Sequence, residues 1–508
     1  MEAILSAIVS DLLSRAVSMV IHRYRQSSGA EHKLQQLQSV LLRIDAMVEE
    51  AEGRHITNQA MLRQLDMLMQ GMYGGHYMLD TFRYTGHGVD GEVRGGRRRT
   101  VPLSRLGSAK RRVFVPGNGG TGELQSSALD AESVRKLEKM LGDLEMMIGD
   151  MEEFAMFLEG YPRIFRQPRS TYLILDRVMF GRHMEKETII NFLLCSEAAG
   201  DGRPGVLPIT GAARVGKSTL VEHVILDERV RGHFASIVHF TGDELGAGAG
   251  NMAAFRSSGV IKHQDVTAPS CGSGRSLAVI ELSGDMDEET WRRLYSSATT
   301  NMVHGSKIII TSRSDNIVTL GTSQAVRLKL LPQEAYWYFF KSLAFGAENP
   351  DDHPELASMG MEIAVLLNGT FLGANIVGSL MRDDLSAPFW RKVLQCLRTF
   401  TRRHLLMHGE HPNDRLQRGE PVYLWRMARS PDEVVVCGTY QKPSAQRDVP
   451  KLTATDVIRG SSVPHQEKFR AVAWRSNVPP CYTYLTTYTL EKAGCSVVGK
   501  KRPRHVRV

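Results

Sequence analysis

The sequence predicts a multidomain chain of mixed α and α/β class, and three textures carry that reading. Over the first 160 residues apolar side chains recur at three- and four-residue spacing, the pattern of amphipathic helices. From about residue 178 short β-branched runs alternate with helical stretches, as in a parallel sheet with crossover helices. Beyond about residue 420 β-branched and aromatic runs are divided by Pro and Gly. The expected organisation is a four-helix bundle over 1–160, a parallel-sheet domain over 175–330, a helical subdomain over 331–406, a small β-rich module over 420–498 and a basic tail over 499–508.

The bundle is read helix by helix. Residues 3–24 place Ile4, Leu5, Ile8, Val9, Leu12 and Leu13 on one stripe, with Ser6, Ser10 and Ser14 opposite. Residues 31–51 repeat the pattern through Leu34, Leu37, Leu41, Ile44 and Val48, and residues 58–84 do so with many Met. A fourth helix is expected from Ala131 to Leu158, after a Gly/Arg/Ser-rich loop over 86–124. Four such stripes bury one another in a bundle, which makes them core rather than membrane-binding surface.

Composition narrows the class. With 508 residues, 42% of them hydrophobic and 23% charged, the chain is neither collagen-like, nor wholly disordered, nor a small disulfide scaffold. The formal charge of +8 is concentrated in two places: eight Lys/Arg and no acid over 94–112, and five over 500–508. The body between them is mildly acidic, so the basic runs read as solvated appendages and nucleic acid is not the expected partner. KKRPRHVRV at the C-terminus is also a candidate nuclear import signal. Six cysteines without a C-x-x-C pair suit a reducing, cytoplasmic compartment. Glu2, Asp11 and Arg15 interrupt the apolar N-terminus, which argues against a signal peptide. The one uncharged run of 18 or more residues, 363–381, is interrupted by Asn368, Gly369, Thr370 and Asn375, so no membrane span is expected.

The expected strands are VLPIT, SIVHF, SLAVIEL and SKIIITS, and residues 241–275 read as an irregular loop between them. The strongest chemical signal follows the first strand and opens a helix: Gly211-Ala-Ala-Arg-Val215-Gly216-Lys217-Ser218-Thr219, a G-x-x-x-x-G-K-[ST] string. Gly211 and Gly216 let backbone N–H groups turn inward around phosphate oxygens. Lys217 brings a cation to the β/γ-phosphates, the Ser218 hydroxyl suits Mg²⁺, and the helix that follows points its positive end at the anion. A P-loop enzyme also needs an acid at the end of a second strand. Here the strand ends at Glu281, the metal-side candidate, followed by Leu282, which cannot polarise water. Arg313, just past the strand KIIITS, stands at the sheet edge where it contacts a terminal phosphate. This combination favours nucleotide binding over efficient hydrolysis.

The order of these motifs resembles the NB-ARC module of plant intracellular immune receptors of the coiled-coil class. GAARVGKSTL is similar to the family's P-loop, LAVIELSGDMDEETW to its second acidic strand, GSKIIITSR to its arginine sensor strand, and LNGTFLGANIVGSL to the helix start that usually reads Gly-Leu-Pro-Leu. VMFGRHMEKETIINFLL resembles its opening strand and helix, and GHYMLDTFRY its acidic third-helix motif, of which Asp80 remains. The resemblance covers roughly residues 1–400. It implies that 331–406 is an ARC-like subdomain, and that Arg182, Val215 and Thr219 join Gly211, Gly216, Lys217, Ser218 and Arg313 around ADP or ATP. It also implies Mg²⁺ on Ser218 and Glu281. A family member is a nucleotide-driven switch whose N-terminal bundle pairs with protein partners, here a full-length receptor or a second copy. The sequence departs from the pattern at Leu282, at Phe371 in place of the usual proline, and in having no leucine-rich array after the helices. The chain thus reads as a helper, decoy or modulator.

Two other readings stay open: a degenerate switch acting as an interaction module, and an active P-loop ATPase of another kind. His404, His408 and His411 in RHLLMHGEH lack a third metal ligand at fixed spacing and read as solvated histidines at a helix end.

Overall fold

The computed structural model describes residues 32–84, 124–163, 179–195, 203–241, 274–282, 284–428, 432–443, 449–460, 466–476 and 482–492. The expected helix over 3–24, the loop over 86–124 except Leu124, most of 241–275 and the basic tail lie outside the described residues.

The N-terminal helices are α1 (residues 32–52), α2 (Gln59–Tyr84), α3 (Leu124–Gly149) and α4 (Met151–Glu159). The apolar stripes meet as their spacing requires: Leu37, Leu41, Ile44, Leu65, Leu68 and Leu144 are all buried. The single fourth helix expected from Ala131 is instead two, broken at Gly149-Asp150. Gly costs a helix backbone entropy and Asp competes for backbone hydrogen bonds, so the pair is a natural place to break.

The α/β domain opens with α5 (His183–Leu194) and β1 (Gly205–Gly211). It continues through α6 (Lys217–Ile225), α7 (Glu228–His233), β2 (Ser236–Thr241), β3 (Ser276–Glu281), α8 (Glu288–Asn301), β4 (Lys307–Ser312) and β5 (Val326–Leu328). The five strands form one parallel sheet in the order β2-β3-β4-β1-β5. Both faces are covered, which explains the continuous apolar runs. Leu207, Ile209, Leu277 and Ile309 pack under α5 and α6, while Val206, Ala278, Ile280 and Ile308 pack on α8 through Trp291 and Leu294. Pro208 is tolerated inside β1 because β5 begins to pair only at Ile209.

The helical subdomain comprises α9 (Gln333–Phe345), α10 (Pro354–Leu367), α11 (Phe371–Arg382) and α12 (Ala387–His408), followed by α13 (Pro412–Gln417). It shares a continuous apolar core with the N-terminal helices. Tyr73 of α2 packs against Tyr338 of α9 at 5.3 Å between ring centres and against Phe180 at 5.4 Å. His404 is fully buried and hydrogen-bonds the Tyr423 carbonyl, and His411 pairs with the Leu366 carbonyl. These two histidines are therefore packed parts of the fold rather than solvated, and no metal-holding cluster occurs among the described residues.

The C-terminal module is a four-stranded antiparallel sheet, β6 (Val422–Tyr423), β7 (Asp432–Pro443), β8 (Lys468–Arg475) and β9 (Tyr482–Lys492), ordered β6-β7-β9-β8. A short helix, α14 (Ala454–Arg459), covers one face of it. Arg459 anchors the module to Asp383 at 2.9 Å, and Arg403 of α12 reaches Glu433 of β7 at 2.7 Å. No helix among the described residues is long and apolar enough to cross a membrane.

Candidate phosphate-binding site

The carboxyl ends of β1, β3 and β4 meet at one edge of the sheet, and the side chains singled out in the sequence converge there. Gly211 ends β1 so close to β5 that a Cβ would lie 2.5 Å from the Leu328 carbonyl oxygen. Only glycine permits that approach. The loop then passes through Arg214 at φ 61° and Gly216 at φ 97°, and α6 begins at Lys217. Gly216 takes the left-handed turn that a side chain would strain. Val215 points into the core and fixes the loop from behind.

The Lys217 ammonium curls back over its own loop, donating to the carbonyls of Gly211 at 2.7 Å and Ala212 at 2.9 Å. Burial, and then the nearby Arg313 charge, depress its pKa to about 8, with Glu281 pulling the other way. Arg313 also acts on Arg214. Three cations therefore crowd one edge, with Glu281 as the acidic group in their midst. That is the field of a site for a polyanion.

Ser218 and Glu281 are brought together. The serine hydroxyl donates to the Glu281 carboxylate at 2.5 Å. Neighbouring ligands of an octahedral Mg²⁺ are about 3 Å apart, so this oxygen pair fits a divalent cation after a small separation. Thr219 follows on the same first turn of α6. Glu222, one turn further, is buried 3.3 Å from His239. Burial, with Glu281 nearby, pushes its carboxyl up to about 7.

Arg182 is placed differently from the others. It is buried behind the loop, and its guanidinium is spent on protein: Glu185 at 3.0 Å, the Lys329 carbonyl at 2.5 Å and the Val215 carbonyl at 3.4 Å. It also lies 5.9 Å over the Phe371 ring, which meets Phe339 edge-on at 5.4 Å. Arg182 braces the loop against β5 and α11. Leu282 likewise has a packing role, buried in the lower core with Trp291 while its N–H donates to Thr311 of β4. Arg214 and Glu222 adjoin the candidate site and were not singled out in the sequence. Arg214 stood at a variable position of the motif, and nothing in the pattern marked Glu222.

Comparison with known proteins bears on this geometry. Residues 8–104 match the family model described as the Rx N-terminal domain. The disease resistance protein RGA2 of Solanum bulbocastanum is 21% identical over 72% of this chain and 36% of its own length. An RPP13-like protein 1 of Arabidopsis thaliana, a disease-resistance relative, is 23% identical over 77% of this chain and 37% of its own length. The chain thus resembles plant disease-resistance proteins. It spans less than two-fifths of the length of either relative. Among solved structures, AMPPCP-bound DnaA from Aquifex aeolicus overlays 50% of this chain and 78% of its own, at 16% identity and a TM-score of 0.24, too loosely to specify more.

Proposed function

We propose that this chain is a coiled-coil NB-ARC protein, an ADP/ATP-dependent switch in plant defence signalling. The convergence of Lys217, Arg214 and Arg313 on the P-loop, beside the Ser218–Glu281 oxygen pair, carries the reading. In the bound form Lys217 leaves its own carbonyls for the β/γ-phosphates, Gly211 and Gly216 keep the loop backbone open, and Arg313 takes the terminal phosphate. Ser218 and Glu281 would hold Mg²⁺, which would neutralise phosphate charge. Hydrolysis is slow on this reading, because Leu282 is committed to the core, and turnover falls below the ~1 s⁻¹ of an ordinary enzyme. The N-terminal helices engage a full-length receptor or a second copy, so the chain acts as helper, decoy or modulator. It works in the cytoplasm, and the basic tail admits it to the nucleus.

A second reading has its own observation. Lys217 already has two carbonyl acceptors within the loop, which suits a degenerate switch that holds nucleotide weakly and acts through its bundle.

The nucleotide content of purified, denatured protein, measured by chromatography with Lys217→Ala alongside, separates the two. Near-stoichiometric ADP in the parent and none in the variant is expected. A folded but empty parent would establish the degenerate form.

A further inference from the structure

The fold leaves two apolar surfaces exposed. One is a groove. The start of α2 and one face of α4 enclose a cavity of about 330 Å³, floored by the buried Met61 and Phe154 and walled by Gln64, Glu153, Phe157 and Tyr161. Phe157 is 61% exposed, and Met156 beside it is 67% exposed. Arg54 pins the end of α4, donating to the carbonyls of Leu158 at 3.1 Å and Tyr161 at 2.9 Å, so the wall is formed in advance. Helix α4 carries Glu152, Glu153 and Glu159 and no cation, and none of these acids makes an ion pair with a described residue. The first two suit the positive end of the helix. Glu159 stands at the negative end, where an acid is unfavourable, so its use lies outside the helix.

The other surface is a tip. In the last turn of α12, Leu405, Leu406 and Met407 are 42%, 77% and 52% exposed. Consecutive helix residues point about 100° apart, so a turn exposed at all three projects into solvent. Arg402, one turn back on the same face as Leu405 and Leu406, is exposed and makes no ion pair with a described residue. Helix α12 has five Lys/Arg and no acid, and Glu410, two residues beyond it, is taken by Arg418. The tip is convex, apolar and basic, and the groove is concave, apolar and acidic. Both are open in the single chain, so they do not cover each other within it.

We infer that the α12 tip of one copy seats in the α2–α4 groove of a second copy, with Leu406 against Phe154 and Phe157 and Arg402 among the free acids of α4. This rests on the reading that the N-terminal helices bind protein, and commits it to a second copy. Tip and groove are different surfaces, so the contact is head-to-tail and leaves one of each free for further copies. One helix turn in a groove covers less than the roughly 800 Å² per partner of a stable interface, so the association is weak and reversible.

The test is sedimentation of the full chain from about 1 to 100 μM, the range of weak association. The mean mass of the parent should rise with concentration. Leu406→Glu and Phe157→Ser alter exposed side chains, and each alone should associate about 10-fold or more weakly. An equimolar mixture of the two should recover a dimer and stop there, because the first keeps its groove and the second keeps its tip. Leu42→Glu, at an apolar residue 65% exposed on α1, should associate as the parent does. Parent-like association of both variants, or a mixture that stays monomeric, overturns the inference and leaves the bundle as a protein-binding element. A parent that is monomeric at every concentration overturns the second copy as partner, and the inference with it.

Discussion

Asp80 on α2 accepts a 2.6 Å hydrogen bond from Lys341 on α9, across 261 residues of sequence. The same carboxylate oxygen accepts from the Trp337 indole at 2.8 Å. One acidic side chain thus joins the N-terminal bundle to the helical subdomain, and it does so buried. One turn on, Arg83 and Tyr84 both reach Asp351, at 2.9 and 2.5 Å. The acid that remains in the third-helix motif is a clasp between two parts of the chain.

That clasp should be expensive to remove. Asp80→Ala leaves a buried indole N–H and an ammonium without their acceptor, and should destabilise the chain by about 3 kcal/mol. Asp80→Asn keeps an acceptor for Trp337 and should cost less, about 1 kcal/mol. Denaturant midpoints of the three proteins check both figures. Equal midpoints for parent and Asp80→Ala would show that the clasp contributes nothing.

Leu282 invites a different experiment. Its place in the acidic motif suggests that Leu282→Asp would restore hydrolysis. The structure predicts otherwise, since the side chain enters the core beside Trp291. A carboxylate there loses the packing of Leu and gains no partner, at a cost of about 3 kcal/mol or more. The expected result is a lower melting temperature with no gain in steady-state ATP turnover.

Lys217 ties nucleotide affinity to pH. Burial and then Arg313 hold its pKa near about 8 in the free protein. A bound polyphosphate favours the ammonium and raises that value. The sign follows: below pH 8 the lysine is already charged and affinity is flat. Above it, binding must take up a proton, and affinity falls towards tenfold per pH unit. Titration calorimetry of ADP at pH 8.5 or so in two buffers of different ionisation enthalpy should reveal the proton uptake. Identical heats in both buffers would contradict the depressed value.

Much of this architecture could be read in the residues, because its signals are local. The stripe from Leu34 to Val48, the runs that became β1 to β4, and the P-loop string each declare themselves within a dozen positions. What escaped was either too short or too distant. Strand β5 has three residues, Val326 to Leu328, and no period can be seen in three. Helix α14 carried one usable sign, the Thr453–Asp456 capping box. Arg182 was expected near the nucleotide because VMFGRHMEKETIINFLL resembles the family's opening strand and helix. Its commitment to the Lys329 carbonyl depends on how β5 pairs with β1, which no local pattern encodes.

Phe180 stands two residues before Arg182, and its ring packs on Tyr73, Tyr338 and Phe339, at 5.4, 6.1 and 5.3 Å. A single short turn of backbone therefore grips the aromatic seam of the bundle at one end and the back of the phosphate loop at the other. Any partner that pries the bundle from α9 wets that seam and slackens the same turn. If the loop holds phosphate as proposed, it would then lose its rear support, and pulling on the bundle would loosen the grip on phosphate without any contact at the phosphate itself.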